Sequence, residues 1–112
     1  MGLYVPFSEL SDEARTLDHA ITSLMEELEA INYYHQRADV SADKALKDLM
    51  IHNRNEEIEH ATMLFEWLRR AMPEFDGEMR KYLFTQAPIT EVESSASEDA
   101  SGGSLGIGSL RR

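Results

Sequence analysis

Apolar residues recur at alternating steps of three and four through two long stretches of this chain, which is the spacing of an amphipathic α-helix. The first stretch predicts a helix over about residues 11–38, and the second predicts a helix over about residues 42–71. Only a polar turn at residues 39–43 separates them. Because so short a connection returns the chain on itself, we expect an antiparallel hairpin of two helices.

Pro73 should end the second helix, because its ring removes a backbone donor and disfavours helix in the residue before it. Residues 74–84 predict a short third helix, which Gly77 weakens. The predicted fold class is therefore all-α. We expect residues 1–10 to form an N-terminal segment and residues 11–90 to form one helical domain.

From residue 91 the composition becomes acidic, small and polar, which predicts a disordered linker over residues 91–103. An apolar peptide follows at residues 104–112. Its Leu105, Ile107 and Leu110 are spaced so that an extended peptide could place them in pockets of a partner, which predicts a docking peptide. The alternative is a frayed tail whose apolar residues are incidental.

The charge balance excludes several kinds of partner. The chain has 21 acidic and 11 basic residues, for a formal net charge of −10, so nucleic acid and anionic membrane surfaces should be repelled. No stretch approaches the roughly 20 apolar residues of a membrane span. The N-terminus lacks the basic region and apolar core of a secretion signal, so we expect a cytosolic protein. Cysteine is absent, which rules out disulfides and thiolate metal sites.

Three polar residues interrupt the apolar stripes. Glu57 lies at the centre of the apolar face of the second helix, and His60 follows one turn later. Glu27 lies on the flank of the first stripe, at a matching distance from the turn. Since a buried carboxylate needs a cation or good hydrogen bonds, these residues predict a metal site. Carboxylate and imidazole ligands without thiolate suit iron or manganese, and zinc could also bind.

One chain supplies too few ligands for a pair of metal ions. Two copies would supply four carboxylates and two imidazoles, the ligand set of ferritin-like di-iron bundles. Two hairpins would also bury the apolar stripes that one hairpin leaves open, so we expect a homodimer that forms a four-helix bundle. The alternative is a polar cluster of Asn53, Glu57 and His60 that fixes the helix register without metal.

The chain carries the sequences MEELEA at residues 25–30, Tyr34, NRNEE at 53–57, EHA at 59–61, EWLRR at 66–70 and GSLGIGSLR at 103–111. In combination they resemble the encapsulated ferritins, and the last of them resembles the targeting peptide that loads such cargo into encapsulin shells. The resemblance covers nearly the whole chain after a variable N-terminus. One departure is Tyr33, where the family pattern has Trp; it should affect packing more than ligation.

The resemblance implies a ferritin-like hairpin whose complete centre, with two iron ions, forms only between two subunits. It implies dimers that join into an open ring, typically a decamer, in the lumen of an encapsulin nanocompartment within a bacterial or archaeal cytoplasm. By position it implies Glu27, Glu57 and His60 as the catalytic iron ligands. Glu26 and Glu29 would attract metal, and Tyr34 would lie just behind the ligands.

The function expected from the residues and the resemblance is a ferroxidase that oxidises Fe(II) with O2 for iron storage inside the shell. One rival is a non-catalytic helical cargo adaptor that serves only as a tether. Another is a di-iron or di-manganese oxidase or peroxidase. His19, His35 and His52 lie away from the cluster, and we assign them no function.

Overall fold

The computed structural model describes the backbone of residues 4–102 and the side chains of residues 4–95. Every regular element within those residues is helical: a 3-10 turn at Phe7–Glu9 is followed by α1 (Asp12–Val40), α2 (Lys44–Ala71), α3 (Pro73–Tyr82) and α4 (Ile89–Gly102). The all-α prediction is confirmed. None of these helices has an apolar stretch long enough to cross a membrane. The expected docking residues Leu105, Ile107 and Leu110 lie outside the described residues.

Side chains of the flanking residues fix where the two long helices begin. The Ser11 hydroxyl caps α1 by accepting a hydrogen bond from the backbone N–H of Ala14, at 3.1 Å. Asp43 precedes α2, and its carboxylate accepts from the backbone N–H of Leu46 at 2.8 Å. Each cap satisfies a donor that the first helical turn cannot pair internally. The turn between the helices consists of residues 41–43 and is as short as the sequence predicts.

Contacts between α1 and α2 show that the helices run antiparallel. Glu27 of α1 contacts His60 of α2, whereas His35, further along α1, contacts Arg54, which comes earlier in α2. The helical hairpin is therefore confirmed. Its buried apolar core within the described residues is small: Leu24, Ala38, Ala61 and Leu68. Most of the apolar stripe on each helix remains at least partly exposed in one copy of the chain, as a lone two-helix layer requires.

An extended residue, Met72, separates α2 from α3, and Pro73 occupies the first turn of α3, where its missing N–H costs nothing. Asp76 lies in the same first turn. Its carboxylate accepts hydrogen bonds from Arg69, at the end of α2, and from Arg80, one turn later in α3. The two guanidinium groups hold the pKa of the Asp76 carboxyl below its usual value, chiefly through the hydrogen bond from Arg80.

Helix α4 differs from the disordered linker that composition predicts over residues 91–103. The backbone carbonyl of Pro88 accepts hydrogen bonds from the N–H groups of Glu91 and Val92, at 2.9 and 3.0 Å, which starts the helix. The negative charge of Glu91 in the first turn interacts favourably with the positive end of the helix dipole. Low hydrophobicity therefore did not exclude helix here, since Glu and Ala are good helix formers whatever their burial. The division of the chain into domains stays a prediction.

Candidate metal centre

The side chains of Glu27, Glu57 and His60 converge at one point on the hairpin. The Nδ1 atom of His60 lies 2.8 Å from Oε1 of Glu57 and 3.1 Å from Oε2 of Glu27. One ligand atom from each residue lies within 4.8 Å of the other two. Among the described residues, this is the one cluster of at least three acidic or histidine side chains with the geometry to hold a metal ion.

Two levels of structure bring the three residues together. Glu57 and His60 are three positions apart on α2, so their side chains lie one above the other on the same helix face. Glu27 belongs to α1 and reaches the pair only because the short turn sets the register of the hairpin. The predicted matching height of Glu27 and Glu57 is therefore correct.

The cluster is partly open to solvent in a single chain. Each of the two carboxylate side chains is 22% exposed, and the imidazole is 42% exposed. A cation held here would therefore keep coordination positions directed away from the hairpin.

The carboxylates also control the charge of the imidazole. The hydrogen bond with Glu57 is the main reason that the pKa of His60 is raised, and the charge of Glu27 adds to it against the opposing effect of desolvation. The proton on His60 thus offsets part of the negative charge of the cluster. Because a metal ion binds the unprotonated imidazole, it would displace that proton and take over the role of neutralising the carboxylates.

The donor set fits a small divalent cation. Ligand atoms about 2.0–2.2 Å from a metal ion must lie within a few ångströms of one another, as these three do. Two carboxylates and an imidazole suit first-row transition metals such as iron and manganese. Within the described residues three such donors come together, which is fewer than the set predicted for a pair of ions.

Comparison with known proteins identifies the family of the chain. A family model described as EncFtn-like matches residues 2–86, which is most of the chain. The chain belongs to the EncFtn-like family. The match includes all three residues of the cluster and the whole of α1, α2 and α3. The recognition made from sequence motifs is therefore confirmed.

Two relatives and one solved structure resemble the chain over most of its length. A ferritin-like protein from Thermotoga maritima is 49% identical over 107 residues, which is 94% of each chain. An encapsulated ferritin-like protein from Rhodospirillum rubrum is 44% identical over 119 residues, covering 95% of this chain and 85% of the relative. The crystal structure of protein ne0167 from Nitrosomonas europaea superposes with a TM-score of 0.77 at 54% identity, over 80% of this chain and 98% of the other.

The other residues that the family resemblance singled out are not part of the cluster. Glu26 and Glu29 are exposed on α1 and do not join Glu27 in the described group of ligands. Tyr34 is half-buried, and its ring lies 5.8 Å from the guanidinium carbon of Arg37, which is also 5.7 Å from the ring of Tyr33. The roles of Glu26, Glu29 and Tyr34 stay predictions.

The polar cluster in this EncFtn-like chain does not contain the same residues as the metal-free cluster considered as an alternative. In the part of the chain that the structure describes, no hydrogen bond joins Asn53 to Glu57 or His60, and Glu27 from the other helix takes the place expected for Asn53. A cluster that spans both helices can still fix the register of the hairpin. It does so by bringing two carboxylates together, which favours a site that gains a cation.

The histidines to which no function was assigned have separate environments. His35 Nδ1 lies 3.1 Å from a guanidinium nitrogen of Arg54, which also donates to the side-chain oxygen of Asn55. His19 stacks on the ring of Phe7 at 5.9 Å, and His52 is exposed. Sequence reasoning missed the contact between His35 and Arg54. The register that places Glu27 opposite His60 also brings His35 near Arg54, and no local pattern in the sequence gives that register.

Proposed function

We propose that the protein is a ferroxidase that oxidises Fe(II) with O2 at a centre completed by two copies of the chain. The observation that carries this proposal is the convergence of Glu27, Glu57 and His60 on a partly open site that belongs to one hairpin. In this proposal two iron ions are bound at each interface between two chains, as substrate. Membership of the EncFtn-like family supports a ferritin-like role in iron handling.

Apolar residues near the cluster support a second copy as the missing half. Leu46, His60 and Trp67 differ by whole heptads, so they lie along the same side of α2. Leu46 is 48% exposed and Trp67 is 40% exposed, which is high for side chains of their size on a stripe beside a core. A two-fold contact along this side would cover them, and it would face one cluster with its symmetry mate.

The side chains of the cluster would bind the iron ions and compensate their positive charge. Glu27 and Glu57 supply negative charge that stabilises the higher charge of Fe(III) relative to Fe(II). His60 Nδ1 supplies a neutral donor once its proton has left. Each Fe(II) loses one electron to O2, and the redox chemistry belongs to the metal, while the protein fixes the positions of the ligands. The exposed Glu26 and Glu29 would raise the local concentration of Fe(II) by attraction.

The proposed setting is the lumen of an encapsulin shell in a bacterial or archaeal cytoplasm. The support is the name of the Rhodospirillum rubrum relative, an encapsulated ferritin-like protein. In this proposal Leu105, Ile107 and Leu110 dock onto the shell. Dimers join into a ring that is typically a decamer. Ferric product is stored as mineral outside the ring. Neither nucleic acid nor membrane is an expected partner of a chain with a net charge of −10.

Iron oxidation by site variants tests the proposal. Oxygen-dependent oxidation of Fe(II) is followed by absorbance for the wild type and for Glu27→Ala, Glu57→Ala and His60→Ala, with Glu59→Ala as a matched control on the exposed side of α2. We expect the rate to fall at least about tenfold in each site variant, since loss of even an outer partner of a metal ligand costs that much. Undiminished rates in all three would remove the assignment of the site. Oxidation by the wild type that is no faster than without protein would favour the adaptor hypothesis, and activity with Mn(II) alone would favour the manganese oxidase.

A further inference from the structure

One methionine next to the metal cluster is more exposed than the others that the structure describes. Met63 is 58% exposed, whereas Met25, Met50, Met72 and Met79 are half-buried. A methionine usually fills gaps in an apolar core, because its side chain is flexible and polarisable. Met63 fills no such gap in the hairpin, so its thioether is open to small molecules in solution.

Helix geometry places this methionine beside the imidazole of the cluster. Met63 follows His60 by three residues on α2, so the two side chains are neighbours on the helix surface, with Cβ atoms about 5–6 Å apart. Long side chains in a helix lean toward its N-terminal end, which directs the thioether of Met63 toward the turn that carries His60. The thioether therefore borders the cluster.

Met63 also lies on the solvent side of the cluster. At about 100° per residue, it lies about 60° around α2 from His60, whose side chain is 42% exposed. It lies about 140–160° from the buried Leu68 and Ala61, which face α1. Trp67 is about 40° closer to the buried side, so the proposed two-fold contact over Trp67 leaves Met63 at its edge. A small molecule that leaves the cluster for solvent on this side passes Met63.

We propose that Met63 captures hydrogen peroxide formed at the centre and becomes methionine sulfoxide. The inference rests on the proposed ferroxidase function, because two Fe(II) ions, one O2 and two protons give two Fe(III) ions and one hydrogen peroxide. The sulfur lone pair then attacks one peroxide oxygen and the O–O bond breaks. The other oxygen takes the remaining proton and leaves as water. Sulfur loses two electrons and peroxide gains two, so the step needs no further reductant.

Capture at Met63 protects side chains whose oxidation would harm the centre. His60 is the one nitrogen donor of the cluster, and Trp67 lies one turn beyond Met63 on α2. Oxidation of an imidazole or indole ring is irreversible, whereas oxidation of a thioether to the sulfoxide is reversible. Because Met63 is exposed, the polar sulfoxide also disturbs no packing in the core of the hairpin.

Peptide mass spectrometry of a Val40→Met variant tests whether capture depends on the centre. Val40 is 79% exposed and lies 13 residues after Glu27, about 20 Å along α1, so the introduced methionine is a remote control. One sample oxidises Fe(II) in air, and an iron-free sample receives hydrogen peroxide alone. The ratio of sulfoxide at Met63 to sulfoxide at the introduced methionine should be several-fold higher after iron oxidation. The same ratio in both samples would overturn the inference.

Repeated additions of Fe(II) in air measure the protection. Met63→Leu keeps the apolar bulk and removes the sulfur, and Met50→Leu is the matched control at a half-buried position of the same helix. Both variants should oxidise the first addition at the wild-type rate, and Met63→Leu should then lose activity several-fold faster. Equal losses in the two variants would refute the protective role. A wild type that oxidises iron no faster than solution without protein would refute the ferroxidase, whereas iron oxidation without selective sulfoxide at Met63 would refute the capture alone.

Discussion

His60 Nδ1 lies 3.1 Å from a carboxylate oxygen of Glu27, although the two residues belong to different helices on either side of the turn. This contact makes the Glu57–His60 pair part of a three-residue cluster. A glutamate and a histidine one turn apart on an acidic helix are common, and alone they indicate little. A second carboxylate from α1 at the same point makes a cluster with excess negative charge, which only a proton or a cation relieves.

Metal binding should release protons and tighten as the pH rises. The pKa of His60 is raised mainly by its hydrogen bond with Glu57, so the metal-free site keeps its proton to a higher pH than an isolated histidine does. Below that raised pKa, a metal ion must displace the proton, and above it the affinity should level off. Titration with Zn(II) or anaerobic Fe(II) in weakly buffered solution measures the proton count directly.

The variant Glu57→Gln checks the cause of that pH dependence. Loss of the carboxylate should weaken metal binding. It should also move the pH range over which the metal affinity changes to lower pH. Glu59→Gln is the matched control, since Glu59 is exposed and does not contribute to the shift of His60. Without metal, the proton on His60 stabilises the fold at low pH, and this stabilisation should fade as the pH rises through its raised pKa. A pH-independent affinity in the wild type would contradict this picture.

Asp76→Asn should lower the melting temperature at neutral pH. The ionised carboxylate accepts hydrogen bonds from both Arg69 and Arg80, which lowers its pKa. The stabilisation is present above the usual carboxyl pKa and is lost as the pH falls through the lowered one. The difference between wild type and variant should therefore shrink at acid pH, as thermal unfolding followed by circular dichroism would show.

Glu74→Gln is the control for Asp76, because Glu74 lies in the same first turn of α3 and is equally placed toward the helix dipole. It should change the melting temperature less than Asp76→Asn at neutral pH. If the two variants behave alike, the dipole rather than the pair of arginines accounts for the effect of Asp76.

Removal of the helix caps should destabilise the hairpin without touching the cluster. Ser11→Ala deletes the acceptor for the N–H of Ala14, and Asp43→Ala deletes the acceptor for the N–H of Leu46. Each change should cost about 1 kcal/mol in the free energy of unfolding. Urea denaturation of chelated protein measures it, with Ala42→Ser as a control beside the second cap. An unfolding midpoint that does not move would mean that water replaces the caps at no cost.

Deletion of residues 104–112 should abolish loading into an encapsulin shell and leave iron oxidation unchanged. The deleted part contains Leu105, Ile107 and Leu110 but none of the three residues of the cluster. Co-expression with a shell protein, followed by co-purification and mass measurement, tests loading. A triple replacement of the three apolar residues by Ser keeps the length of the tail, and if this variant still loads, their docking role is wrong.

Local patterns in the sequence determined most of the secondary structure. The apolar periodicity predicted both long helices, with the first starting near residue 11, and Pro73 marked the boundary between α2 and α3. Each of these signals acts within one or two turns, where backbone geometry and hydrogen bonding are decided locally. Composition was less informative at α4, where a polar segment expected to be a disordered linker is helical.

Tertiary structure alone decided which polar residues meet. The sequence gives Glu57 and His60 a common face, but the distance from Glu27 to His60 depends on the register of the hairpin, and so does the contact of His35 with Arg54. It also decided that only a few apolar side chains of the described residues are buried. Helical periodicity records only which residues share a side of one helix. Packing against a second helix determines which of them are covered and which remain to bind a metal ion or another chain.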